Sequence, residues 1–231
     1  METLTTWPRR YCFSPALRSS LQDRFFTWMV DWAFRPVLVG KELMKHILLL
    51  LVVASGASYG QSIGQGANEI QVWTSGGHSV SGGRGDTGIW NAGLRYGWVL
   101  TGPHGPGFFA GRFEYAIDGV PVYLIFQPRG TVYGVGVNPI NLKWNFATRG
   151  RVHPYIELGG GTLFTTDKVP RATSKVNFTP TAAFGSHFLG QKHPWTIEAR
   201  YLHISNAGLG DFNPGINTFE VRLGIGRFRT K

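Results

Sequence analysis

Residues 90–100 have the sequence WNAGLRYGWVL, in which large apolar side chains alternate with small or polar ones. One set comprises Trp90, Ala92, Leu94, Tyr96, Trp98 and Leu100. The other set comprises Asn91, Gly93, Arg95 and Gly97. A period of two residues is typical of a β-strand whose two faces meet different surroundings. The segment therefore predicts a strand and not a helix.

The same alternation recurs along the rest of the chain, and turns rich in Gly, Pro, Asn and Asp separate the alternating segments. The predicted strands are 69–74, 90–100, 109–117, 140–146, 152–164, 176–184, 195–205 and 219–225. Eight strands suffice for a small antiparallel barrel, and closure removes the sheet edges that would otherwise aggregate. The sequence thus predicts an all-β protein, an eight-stranded antiparallel up-and-down β-barrel.

The composition agrees with this fold class and narrows the possible partners. The 231 residues include 32 glycines and 14% aromatic residues, but only 16% charged residues, a balance typical of short strands and tight turns. A single cysteine, Cys12, excludes a disulfide framework. The net charge of +10 favours an anionic partner, yet the basic residues are dispersed among acids, which argues against nucleic acid. Histidines without ligand spacing predict no metal site, and no cofactor is predicted.

Alternation alone does not decide which barrel face points outward. A soluble lipocalin-like carrier has its apolar face inside, whereas a transmembrane barrel turns that face towards lipid. Here the apolar face is rich in Trp, Tyr and Phe, which are too bulky for an eight-stranded interior. The polar face carries charges of both signs: Arg95, Arg112, Glu114, Lys143, Glu157, Glu198, Arg200, Glu220 and Arg222. We therefore predict a transmembrane barrel, with the soluble carrier as the alternative.

The first sixty residues are predicted to lie outside the barrel. Residues 44–60 have the pattern of a signal peptide: a short basic start, an apolar run at 47–53 and small residues before Gly60. That run is shorter than the roughly 20 residues that a membrane-spanning helix needs. Residues 1–43 are expected to reflect a misassigned start codon, or else a membrane-surface extension. The exported barrel domain would then comprise residues 61–231.

One segment contains the elements of a catalytic site. Residues 203–209, at the end of the seventh predicted strand, have the sequence HISNAGL. His203 and Ser205 are two residues apart and so share a strand face. A neighbouring histidine can activate a serine as a nucleophile, although such a pair also occurs without any chemistry. Because this face is the apolar one, the pair would lie at the rim of the lipid-facing wall, where an enzyme acting on membrane lipids needs it.

The segment resembles a known family, the outer-membrane lipid A 3-O-deacylases, also called acyloxyacyl hydrolase-like proteins. Their signature is H-x-S-N-A-G-L followed by N-x-G-I-E, and this chain has HISNAGL at 203–209 and NPGIN at 213–217. The resemblance implies a barrel in the outer membrane of a Gram-negative-type bacterium, with a serine-hydrolase site on its outer wall. It also implies hydrolysis of an ester-linked 3-hydroxyacyl chain of lipid A, the membrane anchor of lipopolysaccharide. Homodimer formation is left open.

The resemblance also implies roles for individual residues. Ser205 would be the nucleophile and His203 the general base. The candidates for stabilising the oxyanion are Asn206, the backbone amides near Ala207 and Gly208, and Asn213.

The third position of the triad departs from the family, because this chain has Asn217 where the family has Glu. Asn217 can hold the imidazole, as Asn does in papain-like enzymes, but it offers no negative charge. Glu198 and Glu220 are predicted to point into the barrel, and Asp211 is the acid left in the loop. Two hypotheses follow: a carboxylic ester hydrolase weakened by Asn217, and a non-catalytic barrel with a structural or interaction role.

Overall fold

The computed structural model describes residues 62–190, 193–210 and 212–230. The predicted signal peptide, the extension at 1–43 and Cys12 lie outside the described residues. Among the residues that are described, no helix is long and apolar enough to cross a membrane.

Nine stretches of strand account for most of the described chain. They are β1 (Asn68–Ser79), β2 (Gly88–Val99), β3 (Gly111–Gln127), β4 (Gly130–Phe146), β5 (Val152–Thr165), β6 (Val176–Phe178), β7 (Thr181–Phe188), β8 (Trp195–Ile204) and β9 (Ile216–Arg229). A short 3₁₀ helix, Gly107–Phe109, precedes β3. β6 and β7 both pair with β5 and form one strand that is interrupted at residues 179–180.

Every strand pairs antiparallel with its neighbours. The order is β4-β3-β2-β1-β9-β8-β7-β5-β6, and pairing of β4 with β5 closes the sheet. With β6 and β7 counted as one strand, the fold is the predicted closed eight-stranded barrel.

Four predicted strands were too short. The predictions 69–74 and 219–225 correspond to β1 and β9, which have 12 and 14 residues. β3 and β4 each have 17 residues, whereas the predictions were 109–117 and 140–146. A register shift between Val120 and Tyr123 changes the parity of the alternation in β3, which hides the second half of that strand from a period of two. Phe109, the predicted start of β3, belongs to the 3₁₀ helix.

The apolar face points outward, as the transmembrane prediction requires. Large exposed side chains cover the wall, among them Leu94, Leu142, Phe184, Leu223 and Ile225. The interior nevertheless contains the rings of Trp73, Tyr123 and Tyr155, so the expectation that bulky aromatics stay outside was wrong in part. Glycines make the room: a Cβ at Gly93 would lie 2.5 Å from the Trp73 ring, and one at Gly185 equally close to the Tyr155 ring.

Charged side chains fill the middle of the barrel. Arg95 contacts Asp118 at 2.7 Å and Glu157 at 2.6 Å, and Arg200 contacts Glu157 at 2.7 Å. Lys143 contacts Glu69 at 2.7 Å. Because these side chains are almost fully buried and bridge several strands, they occupy the space that a channel or a ligand cavity would need.

Candidate active site

His203 lies near the end of β8, and Ser205 directly follows that strand. Both residues lie at the end of the barrel where β1 ends and β9 begins. Ser205 pairs with Phe178, and the two exchange backbone hydrogen bonds of 2.7 and 3.1 Å. Directly opposed residues of an antiparallel pair share a face, so Ser205 points outward like the exposed Phe178. Ser205 is 8% exposed, and His203 is half-buried. The pair therefore lies on the outer wall, in a recess at its rim.

Asn217 lies directly opposite His203 in the register of β8 and β9. The side-chain Oδ1 of Asn217 is 2.5 Å from Nδ1 of His203. Asn217 also uses its amide Nδ2, which donates a hydrogen bond of 3.2 Å to the carbonyl of Ser81. The imidazole is thus held at Nδ1 by a neutral amide.

The two nearby glutamates point into the barrel, as predicted. Glu198 accepts hydrogen bonds from Tyr155 at 2.7 Å and from Arg200 at 2.6 Å. Glu220 accepts one from Ser75 at 2.7 Å. Neither carboxylate can hold His203, and Asp211 lies outside the described residues.

The turn that follows Ser205 is organised by Asn206. Its backbone N–H donates to Oδ1 of Asn213 at 3.2 Å, and its own Oδ1 accepts from the N–H of Gly208 at 2.9 Å. Ala207 and Gly208 both have left-handed φ angles, 51° and 76°. Among described residues, nothing accepts a hydrogen bond from the N–H of Ala207. The N–H groups of Asn206 and Gly208, two of the predicted oxyanion donors, are therefore used within the turn.

The connection between β1 and β2, residues 80–87, covers the site from one side. The N–H of Val80 donates to the carbonyl of Asn217 at 2.7 Å, and the N–H of Arg84 donates to that of Gly215 at 2.9 Å. Gly215 has φ 63°, and a Cβ there would lie 2.7 Å from Cε1 of His203. Sequence reasoning did not assign this connection to the site. Its only signal was the glycine-rich sequence SGGRGD at 81–86.

Within the described residues, no hydrogen bond joins Nε2 of His203 to Oγ of Ser205. Hydrogen bonds between catalytic groups often form only when substrate is bound, so this geometry is compatible with a nucleophile and its base.

Comparison with known proteins identifies the family of the chain. A sequence model of the family described as lipid A 3-O-deacylase (PagL) matches residues 90–226, which include the whole HISNAGL segment. The chain belongs to the lipid A 3-O-deacylase family. Membership of this family and the barrel fold place the protein in the outer membrane of a Gram-negative bacterium. The soluble carrier is thereby excluded.

A solved structure shows the same barrel fold. The structure described as the outer membrane enzyme PagL is 18% identical, with a TM-score of 0.53, and the match covers 67% of this chain and 97% of that chain. The outer membrane protein OprG from Pseudomonas aeruginosa is 12% identical, with a TM-score of 0.46, 73% of this chain and 99% of that chain being covered. No curated protein sequence matches this member of the deacylase family.

Proposed function

We propose that the protein is an outer-membrane serine esterase that removes an ester-linked 3-hydroxyacyl chain from lipid A. Ser205 is the nucleophile, His203 the general base, and Asn217 the group that holds the base. The observation that carries the proposal is the fixed imidazole: Asn217 engages Nδ1 of His203, and Ser205 lies two residues further along the same outward face. Membership of a lipid A deacylase family supplies the substrate class.

The reaction follows from these positions. Nε2 of His203 takes the proton from Oγ of Ser205 as Oγ attacks the ester carbonyl. The imidazolium then protonates the ester oxygen of the sugar as the acyl carbon–oxygen bond breaks, so that the sugar leaves with a free hydroxyl and an acyl-enzyme remains. A water molecule loses a proton to the same Nε2, attacks the acyl carbon and releases the fatty acid, and the proton returns to Ser205. Neither step needs a metal ion or a cofactor.

The turn after Ser205 supplies donors for the negative charge on the carbonyl oxygen. The N–H of Ala207 is unengaged among the described residues. The Oδ1 of Asn213 accepts from the N–H of Asn206, so its amide Nδ2 is turned away from that bond and is free to donate. Donors fixed in advance of the reaction stabilise an oxyanion strongly, and each is worth about 10²- to 10³-fold in kcat. Asn206 holds this turn in shape.

The outer wall gives the substrate access from the bilayer. Phe178, Tyr201 and Phe219 are exposed beside the pair and offer an apolar surface to acyl chains. The interior cannot receive a chain, because the charged network fills it. Three of the four connections at this end are long, namely 80–87, 166–175 and 205–215. Longer loops are typical of the extracellular end of such barrels, which supports a site at the outer leaflet, where lipopolysaccharide resides.

To test the proposal, the full chain is produced in the outer membrane of a Gram-negative host, and the lipid A of that host is analysed. Mass spectrometry should show lipid A that lacks one ester-linked 3-hydroxyacyl group, and the free 3-hydroxy fatty acid should accumulate. Ser205→Ala, which removes only Oγ, is the matched control and should leave lipid A intact. A wild-type barrel that is folded and releases no fatty acid would contradict the proposal.

That contrary outcome would favour the second candidate, a non-catalytic barrel with a structural or interaction role. The observation in its favour is Asn217 itself, because a neutral amide cannot balance the charge that His203 acquires.

A further inference from the structure

The carbonyl of Ser81 contacts the catalytic apparatus through one hydrogen bond. It accepts from Nδ2 of Asn217 at 3.2 Å, while Oδ1 of the same side chain lies 2.5 Å from Nδ1 of His203. Two successive hydrogen bonds thus join the β1–β2 connection to β9 and β9 to β8. Ser81 does not contact the reacting atoms, so any effect on catalysis must pass through Asn217.

The carbonyl of Ser81 determines which group donates and which accepts in both hydrogen bonds. A main-chain carbonyl can only accept a hydrogen bond, so the Asn217 amide must turn Nδ2 towards Ser81. Oδ1 then faces His203 and, being an acceptor, requires a proton on Nδ1. In a neutral imidazole that leaves the lone pair on Nε2, the nitrogen that acts as the base in the proposed reaction.

We propose that the carbonyl of Ser81 is a positioning group, which fixes the orientation of Asn217 and through it the tautomer of His203. The inference rests on the proposed function and deepens it. It explains how a neutral residue serves as the third member of the triad: its two ends have different partners, and only one orientation satisfies both. A glutamate at 217 would instead turn a second acceptor oxygen towards the Ser81 carbonyl.

The backbone of the connection is shaped around Asn217. Gly82 has φ +98°, and a Cβ there would lie 2.8 Å from Nδ2 of Asn217. A Cβ at Gly83 would lie 2.9 Å from the carbonyl oxygen of Gly215. Gly85, in the same connection, has no atom within 4 Å of an added Cβ. Of these three glycines, only Gly82 and Gly83, which directly follow Ser81, fit closely against β9.

Gly82→Ala tests the proposal, because the new methyl group collides with Nδ2 and separates it from the Ser81 carbonyl. Two variants are matched controls. Gly85→Ala adds the same methyl group to the same connection without a collision. Gly66→Ala adds it at another left-handed position, φ +79°, with nothing within 4 Å and at the opposite end of the barrel.

Two readouts are needed on the purified full chain in detergent. The first is the side-chain ¹⁵N spectrum of ¹⁵N-histidine protein, in which His203→Gln identifies the His203 signals and the shifts report the tautomer. The second is kcat and KM for release of 3-hydroxy fatty acid from lipid A. We expect the Nδ1–H tautomer in wild type and a mixture of tautomers in Gly82→Ala. In that variant kcat should fall about tenfold with KM unchanged, because the loss of one neutral hydrogen bond has an effect of that size. Both controls should match wild type.

The proposal fails if wild type carries the proton on Nε2, or if Gly82→Ala keeps both the Nδ1–H tautomer and full kcat. It also fails if the controls lose as much as Gly82→Ala, since the effect would then be general strain. The spectrum does not depend on activity. An inactive wild type with the Nδ1–H tautomer that Gly82→Ala disturbs would refute the esterase but retain the positioning role.

Discussion

Asn217→Ala should lower kcat by about 10- to 150-fold and leave KM near its wild-type value. The variant removes the oxygen that lies 2.5 Å from Nδ1 of His203. In the transition state His203 is an imidazolium, and a hydrogen bond to a charged group is worth about 1.5–3 kcal/mol. Since 1.36 kcal/mol corresponds to tenfold in rate, the stated range follows. A carboxylate in this role is worth about 10⁴-fold, so the loss should be distinctly smaller.

The assay is the initial rate of 3-hydroxy fatty acid release from purified lipid A in detergent micelles, measured over a range of lipid A concentrations. Ser205→Ala gives the background rate. Asn68→Ala is the matched control, because it makes the same substitution at a partly exposed position at the far end of β1. Heat-dependent mobility on a denaturing gel establishes that each variant is folded. A loss below threefold would refute the role of Asn217, and a loss as large as that of Ser205→Ala would refute the magnitude assigned to a neutral amide.

Four further substitutions have expected outcomes. Arg95→Ala leaves the buried Asp118 and Glu157 with fewer partners and should lower the free energy of unfolding by about 3–5 kcal/mol, measured by urea titration in lipid vesicles; a change below about 1 kcal/mol would contradict this. Leu223→Arg puts a charge halfway along the lipid-facing side of β9 and should cost about 2–4 kcal/mol in the same titration, whereas no change would mean that this face does not meet lipid. Asn213→Ala frees the Asn206 N–H and should lower kcat about tenfold with the barrel intact, and unchanged kcat would argue against its part in the turn. Asn217→Glu should not raise kcat, because its second oxygen would oppose the Ser81 carbonyl; a tenfold gain would count against that argument.

The number and pairing of the strands followed from the sequence because most strands have one apolar and one polar face. In 195–201 every second residue is apolar, and the structure puts that set on the outer wall, from Trp195 to Tyr201. The prediction failed where the backbone departs from a regular strand. The bulge between Val120 and Tyr123 changes the parity of β3, and Gly134, Gly136 and Pro139 weaken the pattern in β4.

The site was predictable only where its residues share one strand or a fixed register. His203 and Ser205 lie on the same face because they are two residues apart, and Asn217 opposes His203 because the hairpin between β8 and β9 sets the pairing. The contribution of Ser81 could not be predicted in this way. It comes from a carbonyl 136 positions away from Asn217 in the chain, and a main-chain group leaves no signature in the residue type.

For the proposed triad, the two hydrogen-bond partners of the Asn217 side chain give a reason for a neutral third member where the family has Glu. At this position the structure offers one donor, Nδ1–H of His203, and one acceptor, the Ser81 carbonyl. An amide satisfies both, whereas a carboxylate satisfies the first and is repelled by the second. The consequence lies in the transition state, where the imidazolium faces a dipole instead of a full charge. In the proposed esterase we therefore expect a rise in kcat to require a change in the β1–β2 connection together with the change at 217.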